Sequence, residues 1–142
     1  MNVRDCMTTE VHLCAPGDSV RDAANAMRSA DAGSIPVGEN DRLVGMITDR
    51  DIALRVVGDG LDPETPVRDV MSDEILYCFD DETVEDVARQ MADLQVRRMP
   101  VVNREKRLVG IVSLGDLAQG STTAGQAALR GVSAPGGAHR QH

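Results

Sequence analysis

Apolar residues recur at helical spacing in two stretches of the chain. In "ETVEDVARQMADL" Val84, Val87, Ala88, Met91 and Leu94 fall at i, i+3, i+4, i+7 and i+10, one face of an amphipathic helix. "DSVRDAANAMRSA" carries the same pattern from Val20 to Ala30. Each helix is preceded by a hydroxyl residue with an aspartate three positions on, Ser19/Asp22 and Thr83/Asp86, a capping box with Asp in place of Glu. Elsewhere the pattern is that of strands. "EVHLC" and "EILYC" predict short β segments. "SIPV" and "RMPVV" are extended, because the residue before proline avoids the α region. "RLVGMIT" and "RLVGIVS" predict strands, "DRDIALRVV" a short helix stopped by Gly58 and Gly60, and "GDLAQ" its shorter counterpart.

These elements occur in the same order twice. At an offset of 64, Val3-Arg4-Asp5 matches Val67-Arg68-Asp69, and Met7/Met71, Cys14/Cys78, Val20/Val84, Met27/Met91 and Pro36/Pro100 coincide. Past Val37 the offset becomes 65, with one extra residue in the second turn, "NREKR" against "ENDR". The chain is a duplication of a β-α-β-β-α unit. The pattern predicts unit 1 over 1–57, a turn-rich linker over 58–66, unit 2 over 67–119, and a Gly-rich, small-residue tail over 120–142 that is loose at its end and forms at most a helical turn or two. A solenoid needs about three or more repeats, so two units point to a pseudo-twofold pair with an α/β (α+β) fold.

Composition narrows the function. Of 142 residues 42% are hydrophobic and 27% charged, an ordinary globular balance. Tyr77 and Phe79 are the only aromatics, so a flat ligand has to be held by aliphatic walls. The net charge of −8 without a basic run lacks the footprint of a nucleic-acid binder. No apolar run approaches the ~20 residues of a membrane span, and "MNVRDCMTTE" has no signal-peptide h-region; a cytoplasmic protein is expected. Cys6, Cys14 and Cys78 show no metal spacing. They read as structural thiols, with a redox pairing of Cys14 and Cys78 as the alternative. Half-sized units with aliphatic helices predict apolar faces left over for a homodimer, on the helices around Val20–Ala30 and Val84–Leu94.

The chemistry sits in "LVGMITDRD" and "LVGIVSLGD". In each, glycine allows a neighbour or ligand to approach closely. Thr48 and Ser113 lie where a strand ends and a helix begins, with unpaired N–H groups suited to an anion. Asp51 and Asp116 follow one turn later, and a carboxylate accepts two hydrogen bonds, as a ribose cis-diol requires. The same spacing is also a plain helix N-cap, and both readings stand at this level.

"VRDVM", "VRRMPVV", "RLVGIVS" and Asp116, with "VRDCM", "GSIPV" and "RLVGMITDRD" in the first copy, resemble the CBS domain over residues 1 to about 119. The chain is similar to stand-alone CBS pairs, or Bateman modules, of small bacterial stress and hypoxic-response proteins. The resemblance implies two units joined sheet to sheet about a pseudo-twofold axis, with clefts that take AMP, ADP, ATP or a related adenosyl ligand. It implies that Thr48 and Ser113 contact phosphate or ribose and Asp51 and Asp116 the ribose hydroxyls. Ile35, Pro36 and Val37, with Met99, Pro100 and Val101, would form adenine walls. Arg97 and Arg98 stand where phosphate-clamping arginines do in the family, while Gly33 and Ser34 hold the equivalent positions; Arg50 follows Thr48, whereas Gly115 stands at that place in the second copy. A solvated ion-pair role for these arginines is the alternative. The expectation is a non-enzymatic nucleotide sensor with no catalytic set and no metal, homodimeric, acting on an unidentified regulated protein. The alternative is a ligand-free dimeric scaffold.

Overall fold

The computed structural model describes residues 1–120; the tail expected beyond Gly120 lies outside them. The fold is α+β. It comprises α1 (Val20–Ala30), β1 (Ser34–Glu39), β2 (Arg42–Thr48), α2 (Asp49–Asp51) continued by a π-helix (Ile52–Val57), β3 (Cys78–Phe79), α3 (Val84–Leu94), β4 (Arg98–Val102), β5 (Leu108–Ser113) and α4 (Leu114–Gly120). Short 3-10 turns stand at Val3–Asp5 and Val67–Asp69.

Two compact units emerge, and they interleave the sequence repeats. One is His12–Ile75; the other joins Met1–Val11 to the chain from Leu76. Each unit borrows its "VRD" turn from the opposite repeat. In the first, Val67 N–H donates to Asp18 O (2.7 Å) and Arg68 N–H to Pro16 O (3.0 Å); in the second, Val3 N–H donates to Glu82 O (2.9 Å) and Arg4 N–H to Asp80 O (3.1 Å). The physical reason is connectivity. The segment after Val57 is short, so Val67 folds back onto the unit it has just left, and the equivalent slot in the other unit is filled by Val3. The segment 58–66 is therefore part of the fold: Thr65 and Pro63 carbonyls accept from the Val20 and Arg21 amides (2.9 and 3.1 Å), two of the N-terminal groups a helix cannot satisfy itself.

The sheets are small. β1 and β2 pair antiparallel, Pro36 opposite Met46 and Val37 opposite Gly45, around a two-residue turn whose Asn40 and Asp41 both have positive φ (54° and 65°), the type I′ geometry that suits a hairpin. β4 and β5 pair likewise, Met99 opposite Val112 and Val101 opposite Gly110. Their longer turn is closed by Asn103 Oδ1, which accepts from Glu105 and Arg107 N–H (3.0 Å each). The strands expected at "EVHLC" and "EILYC" shrink to a single bridge, Cys14 with Val37, and to the two residues of β3 alongside Val101 and Val102. Only Cys14 and Cys78 turn inward there; Leu13 and Leu76 face water.

One core fills each unit. Val20, Ala23 and Met27 of α1 pack with Ile35, Val37, Ile47, Val56, Val67 and Val70. Val84, Val87, Ala88 and Met91 of α3 pack with Val3, Met99, Val101, Val112, Leu114 and Leu117. The core-facing stripe of each helix is thus taken up within its own unit. Of the α3 stripe only Leu94 is out of place, 39% exposed, because Gln95 in the left-handed region (φ 56°) has already ended the helix there.

The glycines of the repeated nonapeptide explain how each strap, the segment from Val3 to Thr8 or from Val67 to Ser72, is seated. Ser72 and Met46 exchange two backbone hydrogen bonds (2.8 and 2.9 Å), as do Thr8 and Ile111 (2.8 and 2.9 Å). A Cβ on Gly45 would stand 2.7 Å from Met71 Sδ and 2.9 Å from Ser72 O; on Gly110 it would stand 2.7 Å from Met7 Sδ and 2.8 Å from Thr8 O. The close neighbour these glycines admit is the chain's own strap. Gly45→Ala and Gly110→Ala are each expected to cost about 1–3 kcal/mol, the usual overpacking range, read as a melting temperature lowered by several degrees. Gly115→Ala, whose Cβ meets nothing nearer than Ser113 Oγ at 3.6 Å, is expected to leave it unchanged or raise it, as alanine favours a helix by up to about 1 kcal/mol over glycine.

Candidate functional site

Each unit has one strand-to-helix corner, and the two are built alike. At the first, Asp51 N–H donates to Thr48 Oγ1 (3.0 Å) while Thr48 N–H donates to Asp51 Oδ2 (3.0 Å). At the second, Asp116 N–H donates to Ser113 Oγ (3.1 Å) and Ser113 N–H to Asp116 Oδ2 (2.9 Å). These are reciprocal capping boxes, so the N-cap reading is realised at both corners. The superficially identical pairs at Ser19 and Thr83 are single-sided: Asp22 and Asp86 amides donate to the hydroxyls at 3.0 and 3.1 Å, while the Asp86 carboxylate turns instead to Arg89 at 2.9 Å. The reciprocal box holds Asp51 and Asp116 at the mouth of the corner in one orientation. It uses one oxygen of each, and a carboxylate has about four acceptor positions.

The residue before each hairpin's first strand closes the corner from the side. Asp49 N–H donates to Gly33 O (2.9 Å) and Leu114 N–H to Arg97 O (3.1 Å), while Ser34 pairs with Thr48 and Arg98 with Ser113. The structure therefore brings Arg97 and Arg98 to the second corner and Gly33 and Ser34 to the first. Arg97 and Arg50 are exposed and Arg98 is half-buried. The expected wall residues divide. Ile35, Val37, Met99 and Val101 send their side chains into their own unit's core, and Pro36 and Pro100, buried as well, occupy the opposite face by the alternation of a strand.

The strap adds a residue that the motifs did not reveal. Cys6 lies close enough to Asp116 to feel its charge: burial, then Asp116, then Asp5 push its thiol up. The repeat comparison held the signal, since Cys6 corresponds to Val70, but only the exchange of straps sends it to the second corner. Cys14 and Cys78 belong to different units and both are buried. Burial, helped by Asp18 and Asp22, pushes Cys14 up to about 11; burial, helped by Glu82, Cys6 and Asp80, pushes Cys78 up to about 12. Such thiols are poor nucleophiles. Among the described residues no three His, Cys, Asp or Glu side chains gather as a metal site, and no helix is long and apolar enough to cross a membrane.

The model of the CBS domain matches residues 3–58 and 67–121.

The chain belongs to the CBS domain family.

It is 44% identical over 134 residues to the CBS domain-containing protein YhcV of Bacillus subtilis, covering 93% of this chain and 95% of that one. Among solved structures, hypoxic response protein I, described with two coordinated zinc ions, superposes with a TM-score of 0.74 at 36% identity over 84% of this chain and 98% of its own. CBSX2, solved in complex with AMP, superposes with a TM-score of 0.72 at 29% identity over 86% and 96%. The CBS pair is a regulatory module, and the α+β fold is that of its structural neighbours.

The thiols give a prediction in two parts. In the native CBS pair, Cys6 is expected to react with a disulfide reagent ahead of Cys14 and Cys78, and denaturant to equalise all three; mass spectrometry of labelled peptides reads the order. Above pH 9, the ordinary thiol value, the unfolded chain loses thiol protons that the native one keeps. Stability therefore falls as pH climbs from about 9 toward about 12, seen as a falling melting temperature; in Cys14→Ala/Cys78→Ala the slope is expected to flatten.

Proposed function

We propose that this CBS pair is a non-enzymatic regulatory module that binds an adenine nucleotide (AMP, ADP or ATP) at its strand-to-helix corners, works as a homodimer, and tunes a protein partner through ligand-dependent geometry. The observation that carries this reading is the duplicated reciprocal box. A single-sided cap suffices for α1 and α3, yet both corners orient their aspartate by a second bond, leaving acceptor capacity for a ribose diol. The AMP complex of CBSX2 supports the choice of ligand. Thr48 and Ser113 receive phosphate or ribose, Asp51 and Asp116 hold the ribose, and the edges of β1 and β4 around Pro36 and Pro100 flank the base.

The corners differ in charge. Arg97 and Arg98 attend the second and nothing comparable stands at Gly33 and Ser34, so the second takes the more highly phosphorylated ligand. A charge-assisted arginine contact is roughly twice as strong as a neutral one.

Calorimetry tests this with AMP, ADP, ATP, NAD and S-adenosylmethionine on the intact chain. Asp51→Ala and Asp116→Ala are each expected to abolish or weaken one class of site by ten- to more than a hundredfold, since hydrogen bonds from a charged acceptor are worth about 1.5–3 kcal/mol. Each change also removes part of a cap, at about 0.5–2 kcal/mol, so melting curves accompany the titrations. Arg97→Ala/Arg98→Ala is expected to weaken ATP far more than adenosine. Wild-type affinity in the double aspartate variant would refute the assignment of Asp51 and Asp116. No heat with any of the five compounds would leave a ligand-free dimeric scaffold.

A further inference from the structure

Cys6 belongs to the strap of the first repeat and Cys78 to β3 of the second, yet both lie in one compact unit. Both serve its core: Cys78 is one of the buried residues that form it, and the half-buried Cys6 packs against it. The backbone brings them to the same part of the sheet. Cys78 stands beside Val101, and Val101 opposite Gly110, so the three make one row across β3, β4 and β5. The strap is laid over this row. On one side Arg4 N–H donates to Asp80 O (3.1 Å), two residues beyond Cys78; on the other Thr8 exchanges two hydrogen bonds with Ile111, next to Gly110, and Gly110 itself receives Met7. Cys6 lies between these anchors. Its thiol donates weakly to the carbonyl of Val3 (3.6 Å), a residue fully buried in the same core. The Cys78 thiol, raised chiefly by burial and then by Glu82, is raised by Cys6 as well, so the two sulfurs are within electrostatic reach of one another.

We propose that Cys6 and Cys78 are a redox pair that closes a disulfide within this unit, fastening the strap of the first repeat to β3. The pair stands whether or not the corners take a nucleotide. The oxidant is a small disulfide such as oxidised glutathione. Cys6 is the more accessible and reacts first: its thiolate attacks one sulfur of the reagent, forms a mixed disulfide and expels one glutathione thiolate. The Cys78 thiolate then attacks Cys6 Sγ and expels the second. Two protein thiols lose two protons and two electrons, and the reagent takes up both and leaves as two molecules of glutathione. Burial keeps Cys78 from the reagent in solution but not from an adduct already on the strap above it, so access fixes the order of the steps. Both thiols being raised, both steps quicken as pH climbs and more thiolate forms. The other unit has the same packing without the chemistry. Val70 holds the strap position of Cys6 and Cys14 that of Cys78, and both are buried in their core. Only one of the two straps can be locked, and because the strap completes the hydrogen-bond ladder of β5, oxidation is read out as stability of that unit.

Peptide mass spectrometry of the full chain, treated in its native state with oxidised glutathione at mildly alkaline pH, tests the pair. On brief exposure Cys6 is expected to carry the glutathione adduct. On longer exposure the Cys6 and Cys78 peptides are expected to be joined, lighter by two hydrogens than the two reduced peptides together, with Cys14 left free to alkylate after denaturation. The bridge closes a loop of about seventy residues and is expected to raise the melting temperature by roughly ten degrees, a shift that dithiothreitol reverses. Cys6→Val, which copies the residue of the other strap, and Cys78→Ala are each expected to keep the far-UV circular dichroism of the wild type and to lose the shift, while Cys14→Ala keeps it. A persistent adduct on Cys6 with Cys78 still free, a bridge that includes Cys14, a Cys6–Cys6 bond between two copies, or three free thiols after exposure long enough to oxidise the unfolded chain would each overturn the pair. A Cys6–Cys78 bridge that leaves the melting temperature unchanged would overturn its role as a lock on the strap.

Discussion

The seating of a methionine and a backbone carbonyl against a strand glycine is the contact on which the rest of the structure depends. Gly45 receives Met71 and Ser72; Gly110 receives Met7 and Thr8. With hydrogen at Cα, the strap comes near enough to exchange paired backbone hydrogen bonds with β2 and β5. That pairing buries Val67 and Val3 in the two cores, occupies an edge of each small hairpin, and decides which repeat's strap goes to which unit. An isolated two-stranded hairpin is marginal in water; the helix on one side and the strap at the edge make each unit viable.

The interleaving also bears on how a CBS pair of this size is held together. A unit of about sixty residues buries only about 60% of its unfolded surface. Here neither sequence repeat is self-sufficient, because each lacks the strap that completes its hydrogen-bond ladder. Duplication with exchange makes the two repeats mutually obligatory. It also places Cys6 beside the second corner while Val70 fills the corresponding place in the strap of the first, where Arg55 donates to the Val70 carbonyl (3.1 Å). The asymmetry between the corners thus comes from the repeats, Arg97 and Arg98 against Gly33 and Ser34 and Arg50 against Gly115, and from the straps, Cys6 against Val70.

The corners economise on residue types. The same hydroxyl and carboxylate that end a strand and start a helix are those a nucleotide would address, and the reciprocal box orients them before any ligand arrives. Preorganisation of this kind lowers the ordering cost of binding. It also explains why the motif alone is ambiguous: Ser19/Asp22 and Thr83/Asp86 have identical spacing, and their difference lies in a second hydrogen bond that spacing does not encode.

The sequence by itself determined the duplication, the amphipathic helices, the hairpins and their turn lengths, because these follow from local periodicity and from the residues that punctuate it. It placed Thr48, Asp51, Ser113 and Asp116 at strand-to-helix junctions for the same reason. Only the tertiary structure decided which unit each strap completes, since Val3-Arg4-Asp5 and Val67-Arg68-Asp69 are chemically interchangeable and connectivity chooses between them. It also decided that Ile35, Val37, Met99 and Val101 serve the cores, because the side of a strand that is inward is set by what packs on it. And it decided that Leu54 and Val57 of the π-helix stand exposed, as Leu13, Leu76 and Leu94 do elsewhere. A helical pattern reports that a face is apolar; burial against the strap and sheet determines which face remains.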